Sequence, residues 1–557
     1  MLNLNSLFGR LLRKEAWWAL RPRFTVLIAV LLAVGISITL LDSKITLASA
    51  PTSPMITEPY IEGKIVYPGD VHMEAVGFSD SDGNAHACSD WEIRPASSAT
   101  VAWKATCASG AAKVHIHLGD GQFINDYQGR TEFNFDTDYI LRVRFVDSAG
   151  ETSEWSERTF RTKEVGPAGV AGDIPFAVAP GFKVEQVTGG LQLPVNIAFV
   201  PNPGSNPSDP FFYVTELLGT VKLVTRDGTV SDCSRGLVNF DTNTFQEGLA
   251  GIVVEPTTGD LFVDMVVADP ENNNQRYPRV IRLHNDGSGC NFDSQTTILN
   301  MAGVFQGSSH QVSNISIGPD GKLYVHNGDG FFYEKAQDLD SFLGKILRMN
   351  FDGTPADDNP FYNAADGINA KDYVFAYGFR NPWGGDWRAS DGSLYEIETG
   401  PNVDRFAKVI SGRNYLYDGT DESMRQYAIH TWGPPDHAPP SVVFIQPETN
   451  GGSGFPANKW DHAFVAESGS VYATGPASAA DGKRITEIAL TPEGTLASPP
   501  TTFLEYTGVG KATIIGLAAG PDGLYFTDFY KDLDATSLAD PGARVWRVRY
   551  VGGNGPP

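Results

Sequence analysis

The segment GSSHQVSNISIGPDGKLYVHNGDG (307–330) carries an imidazole, His310, ahead of one apolar strand and a carboxylate, Asp329, behind a second, with a Pro-Asp-Gly turn between them. A hairpin returns the chain to the end it started from, so the two side chains meet at one end of a sheet. An imidazole beside a carboxylate is a general base with its orienting partner. The carboxylate fixes the tautomer and stabilises the imidazolium that forms when a proton is taken. The same two residues also make an ordinary surface hydrogen bond in many proteins, and the hairpin would fold with almost any polar residues in their place. What separates these readings is the company that the rest of the chain brings to that end.

The elements that position the pair repeat along the chain. A turn followed by a short apolar-aromatic strand recurs as SDPFFYVTE, TGDLFVDM, PDGKLYVHN, SDGSLYEIE, WDHAFVAES and PDGLYFTD. Each is followed by a basic-apolar strand ending in a turn, as in TVKLVTRDGT and GKILRMNFDGT. Six units without a long helical period predict an all-β protein with a six-bladed β-propeller over 177–552. A propeller closes its ring and leaves few open edges, and its functional loops lie at one end of the central channel. Ahead of it, 52–163 shows short alternating segments. In YILRVRFVDSAGETSEWS, residues Tyr139, Leu141, Val143 and Phe145 share one strand face. That run resembles a fibronectin type III domain and predicts a small fibronectin III/Ig-like β-sandwich of structural duty, joined to the propeller by a Gly/Pro/Ala-rich linker at 164–176. His115 and His117 alternate within it and read as one face of a strand.

Four further islands follow the same order around the ring: TFQEGLAGIVVEP (244–256), GKILRMNFDGTPADDNPF (344–361), YGFRNPWGG (377–385) and ETGPNVDRFAKVISGRNYLY (398–417). With the His310 segment they resemble the soluble glucose/sorbosone and aldose sugar dehydrogenases that use pyrroloquinoline quinone (PQQ), a six-bladed propeller family. The resemblance covers about 180–550 and keeps the interval between His310 and Asp329. It implies His310 as the base for a sugar's anomeric hydroxyl, Asp329 as its support, and Arg380 as the fixed charge beside the reactive quinone carbonyl. It further implies Asn381 as a cofactor contact, Gln246 as a substrate-side amide, and the carbonyls of Gly400 and Pro401 as ligands of a Ca2+ ion. Asp404 reads as a surface aspartate or a support for that loop, and Trp432 as an aromatic for a sugar face. Ser309, Phe379 and Trp383 depart from the family pattern. Of the basic residues that hold the cofactor's carboxylates, only Lys511 has a place here.

A net charge of −24 excludes nucleic acid and anionic membrane surfaces as partners of the folded part. The uncharged run FTVLIAVLLAVGISITLL (24–41) follows a basic stretch, 1–23, that stays cytoplasmic, so it predicts a transmembrane helix, either an uncleaved anchor or a signal peptide. Both export the remainder, and in that compartment the four cysteines pair as Cys88 with Cys107 and Cys233 with Cys290. The leading expectation is a membrane-anchored or exported sugar dehydrogenase using PQQ, Ca2+ and an external electron acceptor. The alternative is a non-catalytic cell-surface β-propeller recognition module.

Overall fold

The second strand of each repeat is buried along nearly its whole length. Leu323–Asn327 and Ser393–Glu398 lie between neighbouring sheets, so both faces are hidden and an apolar run serves better than alternation. These strands belong to a computed structural model that describes residues 49–552, apart from 60–61, 67, 69–70, 72, 163–173, 242–245, 291, 293, 470–475, 478–481, 509, 534 and 536. The expected transmembrane helix and most of the expected linker lie outside the described residues. Among the described residues no helix is long and apolar enough to cross a membrane.

From Phe176 to Tyr550 the described residues form six antiparallel sheets of four or five strands, each built largely from consecutive hairpins. The sheet holding the His310 segment runs Val312–Ile317, Leu323–Asn327, Lys345–Met349, Val374–Tyr377. The first strands pack one against the next in a ring: Pro194–Phe199, Leu249–Val254, Val312–Ile317, Pro382–Arg388, Ser441–Ile445, Ile514–Gly520, and back to the first. Closure comes from Phe182–Leu191, which pairs antiparallel with the last strand, Ala543–Tyr550. The result is propeller-like. The loops before each first strand and after each second strand share one end of the ring, and His310 and Asp329 occupy such loops.

Ahead of the ring stand two more sheets around their own core. Six strands, including His86–Pro95 and Asp138–Asp147, make one, and Met55–Glu58, Met73–Val76 and His115–Ile116 the other. The long strand Asp138–Asp147 alternates strictly, with Tyr139, Leu141, Val143 and Phe145 buried. Both cysteine pairs are disulfide-bonded. The described residues from Ala50 onward pack as one unit.

Candidate functional site

The His310 imidazole meets the Asp329 carboxylate across the strand ends, Nδ1 to Oδ1 at 2.6 Å, with both residues buried. Asp329 Oδ1 also accepts from the Phe331 amide at 2.9 Å, and the Asp329 amide donates to the Arg380 carbonyl at 2.7 Å, so the carboxylate is fixed from two sides. His310 and Phe331 adopt left-handed backbone, φ 53° and 66°, conformations that non-glycine residues hold only when their surroundings enforce them. Gly328 is part of the enforcement: a Cβ there would stand 2.3 Å from the His310 carbonyl oxygen. Burial holds the imidazole well below the usual histidine range, and the Arg380 charge pushes the same way. Burial pushes the Asp329 carboxyl up to about 7 against the pull of Arg380. With Nδ1 committed to the carboxylate, Nε2 of a neutral imidazole is the basic nitrogen.

Arg380 is also buried, and both of its terminal nitrogens are engaged. Nη1 donates to the carbonyls of Thr399 (3.1 Å) and Gly400 (3.0 Å), while Nη2 donates to both carboxylate oxygens of Glu74, at 3.0 and 2.9 Å. Glu74 comes from the three-stranded sheet of the first domain. The antiparallel register there pairs Met73 with Ile116 and Glu74 with His115. Alternation therefore sends Met73 and Ile116 into the domain's core and turns Glu74 and His115 outward onto the propeller. The His115 ring lies 3.5 Å, centroid to centroid, from Phe331, which in turn lies 3.8 Å from His310. His115 Nε2 faces His117 Nε2 at 2.7 Å. The two rings thus lie on one face, as the sequence reads, and that face meets the propeller. Their spacing was visible in sequence, but which face met a second domain was not. Glu74 and Phe331 carried no signal that sequence reasoning could have used.

The remaining expected residues are placed as follows. Gln246 is half-buried just before Gly248, whose amide donates to the Gln311 side chain at 2.8 Å, next to His310. Asn381 is buried, with Oδ1 lacking a hydrogen-bond partner. Lys511 lies in the equivalent loop of the last sheet, its ammonium 5.3 Å from the Tyr530 ring centre and its amide bonded to the Asp532 carbonyl. Asp404 is not a surface residue. It is buried and accepts from the amides of Gly400, His437 and Ala438, tying the 400 loop to the 437 loop. Trp432 is unavailable for stacking on a sugar, because it packs in a core cluster and donates Nε1 to Glu467 at 3.0 Å.

These contacts decide whether the family's groups fit. The space in front of the Arg380 fork is filled by the Glu74 carboxylate, and the Gly400 carbonyl faces a guanidinium. No cluster of three or more His, Cys, Asp or Glu among the described residues is arranged to hold a metal ion. With the first domain seated, a tricarboxylate quinone and a Ca2+ ion do not fit this site.

Residues 191–477 match the family described as Glucose / Sorbosone dehydrogenase. Quinoprotein glucose dehydrogenase B of Acinetobacter calcoaceticus is 27% identical over 212 residues, 33% of this chain and 43% of the relative. Aldose sugar dehydrogenase YliI of Escherichia coli (strain K12) is 34% identical over 99 residues, 17% of this chain and 26% of the relative. The chain thus matches under half the length of either. A solved structure of a glucose dehydrogenase, 18% identical, superposes with a TM-score of 0.51 over 66% of this chain and 98% of that one, a likeness of fold alone. His310, Asp329 and Arg380 fall inside the matched segment, whereas Lys511 and the whole first domain fall outside it.

Proposed function

Since the chain belongs to the glucose/sorbosone dehydrogenase family, we propose that it is a sugar dehydrogenase that oxidises the anomeric carbon of an aldose to a lactone. The buried His310–Asp329 pair, 2.6 Å apart with Arg380 beside it, is the observation that carries this reading. Nε2 of His310 takes the proton of the anomeric hydroxyl, and Asp329 keeps the Nδ1 proton and stabilises the imidazolium. Gln246 and Asn381 contribute amide contacts from two loops of the same end, and Lys511 a positive charge from the last sheet. PQQ and Ca2+, the ion on the carbonyls of Gly400 and Pro401, are the groups this reading assigns; the quinone, when bound, would accept the hydride that leaves the anomeric carbon, and both groups require the place that Glu74 now holds. We further propose a six-bladed propeller carried behind a fibronectin III-like spacer. The chain is exported, as its two disulfides favour, with 24–41 either an uncleaved membrane anchor or a cleaved signal peptide. An external electron acceptor is the remaining partner.

Titration of the purified protein with PQQ and Ca2+, followed by aldose-dependent reduction of a dye, tests the reading. Sugar-dependent turnover that His310→Ala abolishes supports it, and no cofactor binding at micromolar concentration, even once the Glu74 carboxylate is removed by Glu74→Gln, sinks it. The second reading, a cell-surface recognition module, is favoured by the closure of the channel mouth by Glu74. It requires that neither cofactor nor sugar bind in that assay.

A further inference from the structure

The contact between the first domain and the propeller is unlike a core. Each hydrophobic cluster of buried residues among the described residues belongs to one domain: one holds residues 56–160, and the others begin at 176 or later. What crosses instead is charge and ring contact. Glu74 grips Arg380 with both oxygens, His115 lies on Phe331, and Ser308 donates to Asp120 at a long 3.5 Å. Domains joined through polar contacts without a shared apolar core come apart far more readily than the domains themselves unfold.

A buried guanidinium nitrogen that donates to both oxygens of one carboxylate is also a group with which an arginine takes a carboxylate or enolate oxygen of a ligand. Glu74 occupies that nitrogen, Nη2, from a neighbouring domain, directly beside His310, and leaves His310 buried. We propose that the sheet Met55–Glu58, Met73–Val76, His115–Ile116 is a cap on the site. Glu74 holds the cap shut by occupying the seat of an anionic ligand on Arg380, so that cap and ligand exclude one another. The ligand half of this statement rests on the dehydrogenase reading of Arg380; the cap half does not.

Exclusion has a measurable consequence. A ligand that binds only the open form has its affinity reduced by the open fraction, and loosening the cap restores it. Glu74→Gln keeps the shape of the side chain but replaces the charge with an amide whose N–H groups face the guanidinium, which weakens the closed state.

The test is carbethoxylation of histidines by diethyl pyrocarbonate, read by peptide mass, on the full chain with and without PQQ and Ca2+. In the wild type His115, His117 and His310 react slowly. Glu74→Gln raises their rates about tenfold or more and tightens PQQ binding by a similar factor. His326, buried within the ring, stays unreactive in both and reports that the fold is intact. If Glu74→Gln exposes His326, Glu74→Asp replaces it, with a smaller rise expected from the shortened carboxylate. Equal labelling of wild type and variant at His115 and His310 overturns the cap. PQQ binding of equal strength in both forms overturns the exclusion. Faster labelling with no PQQ binding by either form leaves the cap standing and removes the dehydrogenase reading instead.

Discussion

At His310 a strained backbone, a neutral ring and a carboxylate partner combine into one device, and each part has its own consequence. The carboxylate must be ionised to stabilise an imidazolium, and burial has moved its titration to about 7. On the dehydrogenase reading, proton abstraction is expected to strengthen as pH rises through about 7, so the acid limb of a kcat/KM profile for sugar oxidation should fall there. Asp329→Asn removes the charge and disturbs the tautomer. It is expected to lower kcat by about a hundredfold or more with little change in KM, and to flatten that limb. The backbone carries a separate prediction. Gly328→Ala puts a methyl group 2.3 Å from the His310 carbonyl oxygen and 2.6 Å from its carbon, an overpacking that costs about 1–3 kcal/mol, read as a lower urea midpoint.

Elements decide which side chains share a surface. The ring is held closed by Phe182–Leu191, whose register against Ala543–Tyr550 runs from Phe182 opposite Tyr550 to Leu191 opposite Ala543. Val184 on this strand is buried in one cluster with Phe176, Trp546 and Val548. Val184→Asp buries an unpaired charge at the closure and is expected to cost about 3 kcal/mol or more. The open edge of the last sheet then becomes available for pairing between molecules, so size-exclusion chromatography should show oligomers. The same logic of register, applied to the two-residue strand His115–Ile116, turns Glu74 and His115 toward the propeller.

On the scale of the whole molecule, ring closure buries ionisable groups that a single sheet would leave wet. Asp264, on a second strand of the ring, accepts from the Gly251 amide at 2.7 Å, and burial pushes its carboxyl up to about 7. In the unfolded chain this group ionises near the ordinary carboxylate value. Between about pH 4 and 7 the native state therefore holds a proton that the unfolded state has released, and this residue's contribution to stability falls as pH rises through that window. Asp264→Asn has no such proton. Its stability relative to wild type should improve by about 1–3 kcal/mol between pH 5 and pH 8, measured by urea unfolding at both values.

Much of this was legible in the amino-acid sequence because it is local. Alternation gave the Tyr139–Phe145 face, turn residues marked the hairpins of the ring, the hairpin pointed to His310 and Asp329, and the resemblance to a known family pointed to Arg380. The cysteine pairs followed from their distribution between two domains. Burial and cross-domain contact are not local, and there the sequence was silent or misleading. Asp404 looks like a solvated turn acid until three amides from two loops converge on it. Trp432 looks like a binding aromatic until its sheet packs it into a core. Glu74 lies 306 positions from Arg380, and nothing in a strand of four residues announces its partner. Side-chain types and short-range periodicity determined the mostly β fold class and the pairing of His310 with Asp329. Only the docking of one domain on another, set by the register of a short strand and the reach of a single carboxylate, decided that the site is closed.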